Sequence, residues 1–190
     1  MDTKMSKKSS KKLLFQANPR LLKAAVYGAN DGIITTFAVV AGVAGAGLSV
    51  KIILILGIAN LIADGCSMGF GDFLGERSES RLRKQQKQEF RDKGLWKSGL
   101  VTFIAFVIAG SMPLVPYYLG AFGFSFVTQS NQLFLSVVST AFALFFVGSL
   151  RTVFTKGIWW KNGLEMLGIG AIAAVVAYTI GSVIESTLVN

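Results

Sequence analysis

Five long apolar runs separated by short polar or charged segments set the pattern of this 190-residue chain, at about 24–46, 52–74, 98–119, 132–150 and 163–184. Bilayer hydrocarbon is about 30 Å thick and a helix rises about 1.5 Å per residue, so roughly 20 mostly apolar residues make one crossing. The pattern therefore predicts an all-α integral membrane protein with five transmembrane helices in one domain over residues 24–190. The turn at 47–51 is so short that the first two spans must be antiparallel neighbours. After the second span the sequence turns charged without meeting a proline, which predicts a helical extension beyond the hydrocarbon over 75–97. Pro113 and Pro116 are expected to break or kink the third span near its outer end. Before the first span lie a basic tail and, at 13–23, an amphipathic stretch at the interface with Pro19 as helix start. No repeat at a fixed period is found, so a single helical domain is the simpler reading.

Composition agrees: 52% of residues are hydrophobic, 15% charged, and the mean hydropathy is +0.56. In a soluble protein a net charge of +9 would suggest nucleic acid, but these charges flank the spans. Seven basic residues precede the first span, eight lie between the second and third, three between the fourth and fifth, and only Lys51 falls in an outer loop. The positive-inside rule then puts the N-terminus in the cytoplasm and the C-terminus outside. Lys156, Trp159, Trp160 and Lys161 read as a loop forming an interfacial aromatic and basic belt. The expected partners are the bilayer, ions and a second copy, with no nucleic acid. The expected location is a bacterial inner membrane or a vacuole-like organelle membrane.

The chain has no histidine and one cysteine, which excludes internal disulfides, zinc fingers and Cys/His catalytic pairs. A metal here must meet carboxylates, amides, carbonyls or thioethers. The segment 57–79, GIANLIADGCSMGFGDFLGERSE, places Asn60, Asp64, Met68, Gly71, Gly75 and Glu79 on one helical stripe. Asp31 is a second carboxylate within an apolar span, and ionisable groups at that depth are functional candidates by default. Met68, one turn from Asp64, adds a soft thioether to hard oxygen ligands, a set that suits a borderline ion such as Fe²⁺ better than Ca²⁺ or Mg²⁺. Asp72, Glu76 and Glu79 read as an acidic cytoplasmic mouth that attracts divalent ions, or as exposed pairs with Arg77, Arg81 and Arg83. Glu165 is expected to pair with Lys161, Glu185 to mark the outer boundary, and Cys66 to be a small buried apolar residue. Gly28, Gly32, Gly42 and Ala46 offer small residues four apart, which permit close approach of another helix and a homodimer seam.

YGANDGIITTFAVVAGVAGA in the first span, GIANLIADGCSMGFGDFLGERSE in the second and GLEMLGIGAIAAVVAYTIGS in the fifth resemble the vacuolar iron transporter family, which includes yeast vacuolar and plant nodulin-like members. The resemblance runs through all five spans in order. It implies a five-helix protomer that dimerises, with a path at the dimer interface exporting Fe²⁺, sometimes Mn²⁺, from the cytosol in exchange for protons. It also implies that Asp31 and Met68 line that path. The family's intramembrane glutamate in the second span falls on Asn60, which leaves Asp64, one turn along, as its substitute. The separate cytoplasmic metal-binding domain of some plant members is not expected, because the connection after the second span is too short and too basic. No enzymatic activity and no resident cofactor are expected, the metal being cargo. Two other readings fit parts of the sequence. A metal-dependent membrane phosphotransferase would explain Asp31-Gly32 and Asp64-Gly65, but the rest of such a motif is missing. A non-transporting scaffold would explain the glycine-rich helices.

Overall fold

The computed structural model describes residues 18–86, 94–152 and 157–188. The helices are α1 (Pro19–Gly45), α2 (Val50–Gln85), α3 (Leu95–Gly110), α4 (Val115–Ala121), α5 (Gln132–Leu150) and α6 (Trp159–Leu188), with a 3₁₀ turn at Met112–Leu114 joining α3 to α4. No strand occurs among the described residues. Since α3, the turn and α4 make one crossing, five helical segments are long and apolar enough to span a membrane. The expected tail at 1–12 lies outside the described residues.

Local chemistry sets the helix ends. The Asn18 side chain accepts the Arg20 N–H at 3.1 Å and Pro19 occupies the first helical position, where its missing N–H costs nothing. At the far end Gly47 adopts a left-handed φ of 63°, which lets the Leu48 N–H reach back to the Val43 carbonyl at 3.1 Å. The α1–α2 turn is therefore as tight as expected, and the two helices pack together. The prolines act as expected too: α3 stops at Gly110 and the chain re-forms as α4. The irregular backbone there is served from α5, where Ser136 Oγ donates to the Pro113 carbonyl at 2.6 Å and Ser139 Oγ to the Met112 carbonyl at 3.1 Å.

Two expectations at the helix ends need correction. The extension of α2 is helical to Gln85, but it does not run to 97: Gly94 has a left-handed φ of 83°, which a right-handed helix cannot hold, and α3 begins at Leu95. Residues 87–93 lie outside the description. Trp159, Trp160 and Lys161 form the first turn of α6 rather than a loop. There Trp159 meets Phe145 edge-on at 5.9 Å and the Lys161 ammonium lies 5.6 Å from the Trp160 ring. Lys156 lies outside the described residues.

The bundle is organised around α1, which packs against α2, α3, α5 and α6. One flank of α1 shares a core with Ile53, Leu61, Phe106 and Leu114, the other with Ala143, Leu144 and Met166. Added Cβ atoms at Gly28 and Gly32 would run into the Thr102 and Phe106 carbonyl oxygens, and Gly45 touches Tyr178 in the same way. The close helix approach read from these small residues is thus real, but its partners are α3 and α6 of the same chain. The homodimer seam expected at these positions is already filled within the protomer. The pairs 28 with 102 and 32 with 106 step the same way along α1 and α3, as do 42 with 177 and 45 with 178 along α1 and α6, so α1 runs parallel to both and the start of α1 and the end of α6 lie at opposite ends of the bundle. Much of α6 faces outward, with Ile172 and Val175 exposed.

Gly32→Val would force α1 away from α3 and is expected to lower the thermal midpoint of the detergent-solubilised protein by an amount equivalent to ~2 kcal/mol or more. Gly168→Ala, where an added Cβ meets nothing within 4 Å, is expected to leave it unchanged or raise it slightly.

Candidate metal path

Among the described residues, the acids that are partly buried, Asp31, Asp64, Asp72 and Glu76, all lie on α1 and α2. On α2 the face toward α3 carries the buried row Ile53, Gly57, Leu61, Gly65 and Gly69. Beside it runs a half-buried row, Asn60, Asp64, Met68, Asp72 and Glu76. A four-residue step advances about 40° round a helix, so this row winds about α2 instead of running straight. The upper end of the expected stripe is thereby corrected: Gly71, Gly75 and Glu79 point outward, while Asp72 and Glu76 turn toward neighbouring helices.

Asp31 stands half-buried on α1, its carbonyl accepting the Thr35 hydroxyl at 2.8 Å. Asp64 stands half-buried on α2, which packs against α1. A carboxylate within an apolar span calls for a cation, a proton or a polar partner. Met68, the next turn along, packs against the core around Phe37 and Phe106. Two amides adjoin the pair in sequence: Asn30 beside Asp31 and Asn60 one turn from Asp64. Asn30 Oδ1 and Asn60 Nδ2 are both buried atoms without a hydrogen-bond partner. Such atoms are costly to bury. A strip with two carboxylates, a thioether and two under-used amides can bind and pass a cation. Among the described residues no three His, Cys, Asp or Glu side chains gather into a closed metal cluster.

The acidic mouth is less open than its sequence suggests. Asp72 Oδ2 accepts the Thr102 hydroxyl of α3 at 3.1 Å. Glu76 pairs with Arg20 of α1, Nε to Oε2 at 2.8 Å, and not with an arginine of its own helix. Glu79 does make the expected same-helix pair with Arg83. Glu165 lies 3.8 Å from Arg151 in place of the expected Lys161. Cys66 is only half-buried, on the flank of α2 away from Asp64. Thr102 and Arg20 were missed from sequence: one is a lone hydroxyl in an apolar run, and the other was counted only for topology. The two Asp-Gly pairs are explained by packing, since Gly32 abuts the Phe106 carbonyl and Gly65 its ring.

The profile of the VIT family matches residues 22–94 and 84–182, most of the chain. The chain belongs to the VIT family. Similar proteins include a vacuolar iron transporter of Toxoplasma gondii, 28% identical over 86% of this chain and 74% of its own length. Vacuolar iron transporter homolog 3 of Arabidopsis thaliana is 27% identical over 96% of this chain and 92% of its own. Vacuolar iron transporter 1 of the same plant is 26% identical over 87% and 86%. With five candidate spans, this VIT-family chain is a multi-pass membrane protein, and its named relatives are transporters, not enzymes. The Toxoplasma protein and the first Arabidopsis transporter align over 226 and 222 positions, more than this chain's 190 residues, so they carry segments without a counterpart here. The VIT-family profile itself divides at 84–94, where α2 gives way to α3.

A double-mutant cycle on Arg20→Gln and Glu76→Gln, read by thermal unfolding in micelles, is expected to give a coupling of about 1 kcal/mol, as partly exposed pairs do. Glu79→Gln, losing an exposed same-helix pair, is expected to change little that is measurable.

Proposed function

We propose that this protein exports Fe²⁺, and to a lesser degree Mn²⁺, from the cytosol in exchange for protons, along a path completed by a second copy. What supports this reading is that α1 and α2, packed together, carry half-buried Asp31 on one and half-buried Asp64 and Met68, one turn apart, on the other. One protomer brings two carboxylates and a thioether, too few for an ion that prefers six ligands. A two-fold partner facing the α1–α2 side would double the set. The names of the related transporters support iron as cargo.

The proposed cycle uses the repulsion between the two carboxylates. Cytosolic Fe²⁺ enters past Asp72 and Glu76, displaces the proton held between Asp31 and Asp64, and is ligated by their oxygens and the Met68 sulfur. Protons from the far side release it, since a protonated pair no longer repels and no longer attracts a cation. Asn60, where the family resemblance implies a glutamate, supplies an amide ligand, and Asp64 takes over the charge. The basic residues flanking the spans support an N-terminus in the cytoplasm. The short α2–α3 connection, where the family match divides, supports capture at the pore mouth without a separate collecting domain.

In inside-out vesicles loaded at acidic pH, Fe²⁺ uptake is expected to dissipate the pH gradient, and Asp31→Ala to abolish both signals. Undiminished uptake by that variant overturns the proposed site. Met68→Leu keeps the packing but loses the sulfur. In competition among Fe²⁺, Mn²⁺, Co²⁺ and Zn²⁺ it is expected to reduce Fe²⁺ uptake several-fold while leaving the harder Mn²⁺ nearly unaffected. Equal losses for both ions would remove the thioether from the ligand set.

A further inference from the structure

We propose that a furrow between α2 and α3, on the far side of α2 from the metal path, binds an anionic phospholipid. Its acyl chain would lie in the furrow and its headgroup against Arg77 and Lys97. The furrow has a volume of about 370 Å³ and an almost wholly apolar lining. Its floor is a crossing of two glycines: a Cβ added to Gly69 would stand 2.9 Å from the Gly99 carbonyl oxygen, so the backbones touch and no side chain fills the crossing. Phe70, Phe73, Trp96 and Leu100 form the banks, and Phe70 and Trp96 are 67% and 58% exposed. This hollow opens toward the surrounding hydrocarbon, where only a chain-like apolar group has access to it.

Charge at the open end selects the occupant. Arg77 lies one helical turn beyond Phe73 and Lys97 directly follows Trp96, both exposed, with Arg81 one turn further out. Among the described residues none of the three is paired with a carboxylate. The nearby acids are engaged elsewhere, Glu76 with Arg20, Glu79 with Arg83 and Asp72 with Thr102. An apolar slot ending in cations that no described carboxylate pairs matches a lipid with an acyl tail and a negative headgroup. A second copy of the chain fits worse, because a two-fold contact across the furrow would set Arg77 and Lys97 against their own copies. Cys66 and Phe70 follow Asp64 and Met68 by two residues, about 200° round the helix, so this site stands or falls independently of transport.

The test is thermal unfolding of the purified protein in micelles titrated with phosphatidylglycerol or with phosphatidylcholine of the same acyl chains. Phosphatidylglycerol is expected to raise the midpoint by several degrees more than phosphatidylcholine. Arg77→Gln with Lys97→Gln should erase that difference, while Arg83→Gln with Lys84→Gln retains it. An equal response of the wild type to both lipids, or loss of the preference in both double variants, overturns the proposal. As a check needing no variant, native mass spectrometry of the wild type with an equimolar lipid mixture should show phosphatidylglycerol adducts in excess. Their absence overturns it, as would efficient oxidative crosslinking of two copies through Cys66, the sole cysteine, which would assign the furrow to a second chain.

Discussion

Close backbone contact between helices is the constraint on which the rest of this structure depends. Lipid tails are as apolar as leucine, so a membrane gives two apolar helices little reason to prefer each other over lipid. What remains is dispersion, which falls off steeply with distance and rewards helices that approach until their backbones touch. Gly28 and Gly32 against the Thr102 and Phe106 carbonyls, Gly45 against Tyr178, and Gly69 against Gly99 are such contacts. They hold α1 at the centre and clamp α3 between α1 and α2.

That clamp places the chemistry. Gly32 and Gly65 both seat on α3, and the aspartate before each, Asp31 and Asp64, is left half-buried. The glycine in each Asp-Gly pair packs and the aspartate beside it faces the strip, so one sequence feature serves two purposes. The same logic leaves Asp72 and Glu76 facing Thr102 and Arg20. The acids at this end of α2 consequently already have protein partners, a hydroxyl and a guanidinium, and any ion binding there must compete with them.

Much of this was legible in the sequence. The five crossings, the tight α1–α2 turn, the break at Pro113 and Pro116 and the helical run past the hydrocarbon follow from apolar length, glycine and proline placement, all local properties. The candidacy of Asp31 and Asp64 also followed, because a carboxylate in an apolar run is conspicuous without any knowledge of its neighbours. What could not be read was which surface meets which. The small-residue rows on α1 look alike whether they seat a helix of the same chain or of another, and here α3 and α6 take them. Glu76 has arginines at good spacing on its own helix, yet it pairs with Arg20, 56 positions away in sequence, because antiparallel packing of α1 on α2 brings the two ends level.

By itself, then, the sequence determined the class of the protein, its number of crossings and the acids and thioether that are candidates for holding a cation. These depend on side-chain type and on distance along one helix. Only the tertiary structure decided that the glycines beside Asp31 and Asp64 both seat on α3, that the stripe winds through Asp72 and Glu76, and that a glycine crossing leaves an apolar furrow with a basic end on the opposite flank of α2. Each of these depends on how helices are rotated and crossed against one another. That rotation is set by the sum of many weak contacts between residues remote in sequence, and no local pattern records it.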